Sequence, residues 1–234
     1  MIGLIGAMDE EIKEYLGALE NKKEHNWNGY TFYEGTIYRQ SVVILRTGVG
    51  KVLSAMVTQK VIDTFPISHI LFSGIAGSIN NGYDIGDIVI GLDTAQHDMD
   101  ATSLGFSRAE IPYTNIRFVP CDKNGIKYLE KACSELSGVH TGRILTGDLF
   151  LDKKHGQEYV HLIDELDGDA VEMEGASVGT VAMINNIPFN LVRIISDKAD
   201  GNAPHNFKMF LHNASVVNFE IIKGFIKEYG GNKR

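Results

Sequence analysis

The sequence predicts a three-layer α/β fold around a mainly parallel sheet, and three observations predict it. Apolar runs dense in Val, Ile and Leu recur along the chain. They do not alternate with polar residues, which is how strands covered on both faces read. Helical stretches separate several of these runs, so that β and α alternate.

In chain order, strands are expected in IGLIGAM, SVVILRTGVG, HILFSGIAGS, DIVIGL, GRILTGD and FNLVRIIS. Helices are expected in EEIKEYLGALE (10–20), KVLSAMVTQKVIDTF (51–65), KNGIKYLEKACSEL (123–136) and ASVGTVAMI (176–184), with a last one from about Phe207 to Tyr229. An antiparallel hairpin is expected early, because NGYTFYEGTIYRQSVVIL alternates, with its turn at Glu34-Gly35. The loops over 98–120 and 148–168 are long for a compact domain, which marks them as candidate walls of a site.

Composition narrows the function classes. With 234 residues, 44% of them apolar and 22% charged, the chain reads as one globular domain spanning 1–234. A net charge of -8 without a Lys/Arg cluster argues against a nucleic-acid partner, which needs basic patches to displace counterions. Cys121 and Cys133 are too few for a disulfide framework and lack metal-ligand spacing, so core thiols in a reduced cytoplasm are expected. MIGLIGAM has no basic leader and DEE follows it at once, so it reads as a strand and not a signal peptide. No run approaches the ~20 apolar residues of a membrane span.

In open α/β sheets ligands bind at the carboxyl ends of the strands. The residues there are Met8 to Glu11, Thr47-Gly48-Val49-Gly50, Ser73 to Gly77, Thr146-Gly147-Asp148 and Ser196-Asp197. Gly48-Val49-Gly50-Lys51 is not a phosphate loop: Leu45 stands where its first glycine belongs, and Val52 where Ser or Thr would hold magnesium. A third glycine for a dinucleotide is also missing. His97, Asp98 and Asp100 are metal ligands by type but lack a second cluster, and His205 and His212 have no acid between them at ligand spacing. No metal and no cofactor is expected.

What remains is acidic. AVEMEGASV places Glu172 and Glu174 just before an apolar helical run. Helix amino ends favour acids by a few tenths to about 1 kcal/mol, which is one account of the pair. The other is that a buried carboxylate is costly unless it meets a hydroxyl or a cation. Glu11, Glu172, Glu174 and Asp197, with Arg193 four residues before the last, could divide acid and base duties at a bond between sugar and base.

GAMDEE, RTGVGK, SGIAGS, TGDLF, VEMEG and RIISDKAD, in that order from Ile2 to about Phe225, closely resemble the 5′-methylthioadenosine/S-adenosylhomocysteine nucleosidases of the purine nucleoside phosphorylase-like superfamily. The resemblance implies an α/β/α sandwich with a mixed, partly barrel-like central sheet, a homodimer, and hydrolysis of a nucleoside to adenine and a 5-substituted ribose. It implies that Glu11 activates the water and that Asp197, oriented by Ser196, protonates N7 of adenine. Glu174 would bind the ribose hydroxyls with Met173 under the sugar, Met8 beside it and Phe207 closing over it. Glu172 would be structural, and Arg193 the partner of Glu174 or of the water. Phe150 would stack on adenine and Leu151 read its edge, with Val49 and Ile75 completing the substrate contacts. Ala101, Leu104 and Pro112 would complete the apolar 5′ pocket of a partner chain. The resemblance is imperfect at Ile75, where family members often carry Ser.

Three rivals share these features. A phosphorylase would need fixed cations, which ILFSGIAGS lacks, Arg46 being the possible exception. An aminodeoxyfutalosine nucleosidase would use the same acids. A non-catalytic nucleoside-binding protein could dispense with Glu11 and Asp197, which this chain keeps.

Overall fold

The computed structural model describes residues 1–151, 160–198 and 207–231. The first half runs β1 (Ile2–Gly6), α1 (Asp9–Gly17), β2 (Glu20–Trp27), β3 (Tyr30–Ile37), β4 (Gln40–Arg46), α2 (Lys51–Thr64), β5 (His69–Ser78) and β6 (Ile88–Gln96). A 3-10 turn at Thr102–Leu104 leads to β7 (Val119–Pro120), α3 (Lys123–Ala132), β8 (Val139–Thr146), α4 (His161–Asp164) and β9 (Ala170–Glu172). The chain ends with α5 (Gly175–Ile184), β10 (Phe189–Asp197) and α6 (Phe207–Gly231).

The strands form one mixed sheet in the order β10-β6-β8-β9-β5-β1-β4-β3-β2. Because β10 also pairs in parallel with β5, the five strands β10, β6, β8, β9 and β5 close on themselves. Beyond this barrel-like ring the sheet continues through parallel β1 and β4 into an antiparallel extension.

The missing apolar–polar alternation has a direct cause. Along β1, Ile5 packs with Val57 and Val61 of α2 and Val178 and Ala182 of α5. Ile2 and Leu4 pack with Ile12 and Tyr15 of α1, Leu129 of α3 and Phe225 of α6. Both faces are therefore covered, and each fully buried Ile or Leu contributes about 1.5–3 kcal/mol. No described helix is long and apolar enough to cross a membrane, and Cys121 and Cys133 are free and buried.

Two expectations are corrected here. The hairpin does not turn at Glu34-Gly35, because β3 runs straight through both residues. The turns are at Asn28-Gly29 and Tyr38-Arg39, where all four φ angles are positive, at 45°, 83°, 49° and 66°. Gly35 is glycine for a packing reason: a Cβ there would lie 2.5 Å from Glu20 O and 2.8 Å from a Leu19 methyl. The first helix also stops at Gly17, three residues early, and the chain enters β2 at Glu20. With the sequence ENKKEHNW, β2 carries no apolar period, and its exposed charges suit a strand at the edge of a sheet.

Candidate active site

A cavity of about 170 Å³ opens where β1, β4, β8, β9 and β10 end and β5 passes. Its walls are Ala7, Met8, Glu11, Val49, Ile75, Ala76, Gly77, Leu149, Phe150, Leu151 and the residues Val171 to Glu174, Ser196 and Asp197. Among the described residues that line it are four carboxylates and no Lys, Arg or His.

Glu11 is the third residue of α1 and turns back on the helix start. Its Oε2 accepts the amides of Ala7 at 2.7 Å and Met8 at 3.0 Å, and its Oε1 that of Ile75 at 3.3 Å. The β1–α1 turn thereby presents a carboxylate to the floor of the cavity at only 4% exposure. Burial pushes its carboxyl above the usual range, while Arg193 first and then the three amides pull the other way. A group that holds a proton more readily than an ordinary carboxylate is suited to take one from water.

Glu172 and Glu174 are both buried, yet their surroundings differ. Glu172 accepts from Thr146 Oγ1, from the amides of Glu174 and Gly175, and from Arg193 Nη2 at 2.7 Å. Of the two expected partners of Arg193, Glu174 and the water, the first is corrected: the ion pair is Arg193–Glu172. Arg193 lies behind the cavity wall at 1% exposure, with its guanidinium 4.1 Å above the ring of Phe72. Glu174 accepts the amide of Gly50 at 2.8 Å. Burial first, and Glu172 second, push Glu174 up to about 8.

At the end of β10, Ser196 Oγ donates to Asp197 Oδ2 at 2.7 Å and lies 3.2 Å from Ala76 O. Phe150, 57% exposed, stands at the mouth beside Leu151. The cavity thus gathers Met8, Glu11, Val49, Ile75, Phe150, Leu151, Met173, Glu174, Ser196 and Asp197 from six separate stretches of sequence. Ala101, Leu104 and Pro112 do not line it. The side chain of Phe207 lies outside the described residues.

The model of the phosphorylase superfamily matches residues 1–227. The 5′-methylthioadenosine/S-adenosylhomocysteine nucleosidase of Colwellia psychrerythraea is 32% identical over 235 residues, covering 98% of this chain and 96% of that one. This chain belongs to the same nucleosidase family, within the phosphorylase superfamily. Among solved nucleosidases of the family, that of Neisseria meningitidis in complex with methylthio-immucillin-A superposes with a TM-score of 0.90 at 30% identity, covering 97% of this chain and 98% of that one. A futalosine hydrolase of Helicobacter pylori gives 0.89 at 30% identity, with 97% of each chain covered.

Several walls of this nucleosidase-family cavity escaped the sequence reading. Ala7, Leu149 and Val171 flank residues that it did select, while Ala76 and Gly77 belong to the Ser73 to Gly77 stretch that it named. Glu172 was set aside as structural, although it too reaches the cavity. His97 is buried, and Asp98 is tied to Lys51 at 2.6 Å and to the amide of Asp148 at 3.0 Å, which places both in the fabric of the loop.

Proposed function

We propose that this chain hydrolyses the N-glycosidic bond of 5′-methylthioadenosine and S-adenosylhomocysteine, and of 5′-deoxyadenosine, releasing adenine and the 5-substituted ribose. The carrying observation is that, among the described residues, the cavity wall holds four carboxylates and no cationic side chain. Such a wall repels phosphate and favours a sugar that becomes cationic as its base departs. Arg46, the possible exception named from sequence, is bound to Asp9 at 3.0 Å and stands outside the cavity wall.

The roles that the resemblance implies give the steps. Adenine stacks on Phe150 with its edge against Leu151, and the ribose lies between Met8 and Met173 with its hydroxyls on Glu174. Asp197, aimed by Ser196, gives a proton to N7 while the bond from the anomeric carbon breaks and its electron pair passes to N9. Water held by Glu11 adds to the anomeric carbon and Glu11 takes its proton. The buried carboxylates stabilise the positive charge in between. No cofactor takes part, and we place the enzyme in the cytoplasm.

We also take the active unit to be a homodimer. Val52 of α2 is 76% exposed, and Leu104 and Tyr113 between β6 and β7 are 71% and 90% exposed, large side chains of the kind that protein contacts cover. Ala101, Leu104 and Pro112 would then close the partner's 5′ pocket.

The test is to incubate the protein with 5′-methylthioadenosine in phosphate-free buffer and follow free adenine. Release is expected; turnover that rises with added phosphate and yields a sugar 1-phosphate would replace this reading with a phosphorylase. Likeness to the Helicobacter pylori futalosine hydrolase favours aminodeoxyfutalosine as a second substrate, and comparing kcat/KM for the two nucleosides ranks them.

A further inference from the structure

Glu172 touches more of the catalytic framework than a helix-end acid needs to. Its oxygens accept from Thr146 of β8, from the amides of Glu174 at 3.1 Å and Gly175 at 2.8 and 2.7 Å, and from Arg193 of β10 at 2.7 Å. Two of these partners lead to other acids. Glu174 is itself the N-cap of α5, so the residue whose amide Glu172 holds is the residue that carries the second carboxylate. Arg193 reaches Glu11 by its other side: at Gly74 a Cβ would lie 2.5 Å from Glu11 Oε1 and 3.4 Å from Arg193 Nη1, so the two groups crowd one spot.

Charge sharpens the point. Glu11, Glu172 and Glu174 are buried carboxylates, and Arg193 is the buried guanidinium among them. Its short ion pair goes to Glu172. We propose that Glu172 is a positioning residue for glycosidic cleavage: it holds Arg193 against the amino end of α5, which sets the placement of Glu11 and Glu174 and keeps the guanidinium charge from neutralising them. The proposal rests on the nucleosidase reading above. Among the described residues, the charged and titratable groups around Glu172 are Arg193 from β10, Glu174 from α5, Glu11 from α1 beyond the arginine, and His97 after β6.

Glu172→Gln keeps the shape and removes the charge. Arg193 then turns more of its charge on Glu11 and Glu174, which lose protons more easily. The limb of kcat/KM that rises with pH, where Glu11 must be ionised, is expected to move down by about one pH unit. A fall in kcat of about 10- to 100-fold should accompany it, the scale of a misplaced catalytic group. Glu172→Asp keeps the charge but cannot span Thr146, α5 and Arg193 together, so the limb should stay in place while kcat falls and adenine binds unchanged. A purely structural role would lower the melting temperature of Glu172→Gln and leave the limb where it was, and that result overturns the proposal. Should Glu172→Gln fail to fold, Glu172→Asp decides, because wild-type kcat in that variant overturns the proposal equally. A wild type releasing no adenine at all would instead remove the nucleosidase reading and this proposal with it, so the two failures are distinguishable.

Discussion

Gly50 donates its backbone amide to Glu174 Oε1 at 2.8 Å, joining the amino ends of α2 and α5 across 124 residues of sequence. The contact gives Glu174 one fixed oxygen beside a cavity that otherwise desolvates it, and Glu174 is accordingly pushed from 4.5 up to about 8. In the unfolded chain this group ionises near 4.5, so between those two values the folded state holds a proton that the unfolded state has lost. Its contribution to stability is whole below about 4.5 and is lost as pH rises towards about 8. Melting temperatures of the ligand-free protein should fall across that window, and those of Glu174→Gln should fall less steeply. Parallel curves for the two proteins would show that Glu174 titrates normally.

Asp197→Asn should lower adenine release by about 100-fold or more with an unchanged circular dichroism spectrum, because an amide cannot deliver the N7 proton. Glu11→Gln should be comparably damaging for want of a base. Either variant working near the wild-type rate removes that residue from the mechanism.

Glu174→Ala should separate sugar from base. Adenine should still bind through Phe150 and Leu151, while a cationic ribose mimic loses a charge-assisted partner and with it about 1.5–3 kcal/mol. Equal weakening of both ligands in a titration would place Glu174 away from the sugar.

Gly74→Ala tests how closely Glu11 is packed. The added methyl would stand 2.5 Å from Glu11 Oε1, so the carboxylate or the strand must move. We expect about 1–3 kcal/mol of destabilisation in denaturant titration, the usual cost of overpacking, together with a loss of kcat. Unchanged stability and rate would mean that the carboxylate has room to retreat.

Leu104→Asp places a charge on the exposed apolar loop. If that loop closes a partner's 5′ pocket, dimer association should weaken and KM for thioalkyl substrates should rise in the same variant. Sedimentation of a fully active wild-type monomer at micromolar concentration would defeat the dimer reading.

The layered architecture and the turns around the cavity were legible in the sequence. Continuous apolar runs such as Ile2–Gly6 require cover on both faces, which helices on two sides supply, and the residues just past such runs reach the carboxyl edge of the sheet. Glu11 and Asp197 could therefore be picked out by position, and Glu174 by the acid pair in AVEMEGASV, whereas Phe150 was named only by the family resemblance. Tertiary structure decided what local pattern leaves undetermined. Glu34-Gly35 has the composition of a turn, but the backbone of Glu20 passes so close that glycine is needed within a strand, and the reversals fall at Asn28-Gly29 and at Tyr38-Arg39. The closure of five strands into a ring depends on β10 pairing with β5, a register contact that no single stretch of chain encodes. The partner of Arg193 was likewise undecidable from spacing, since Glu172 and Glu174 are two residues apart and chemically alike. The chain passes from strand to helix between them, so Glu172 meets the α5 amides and the guanidinium while Glu174 is turned to Gly50 and the cavity. One acid is held by α5 and Arg193 and the other by Gly50, a difference created by backbone direction and not by residue type.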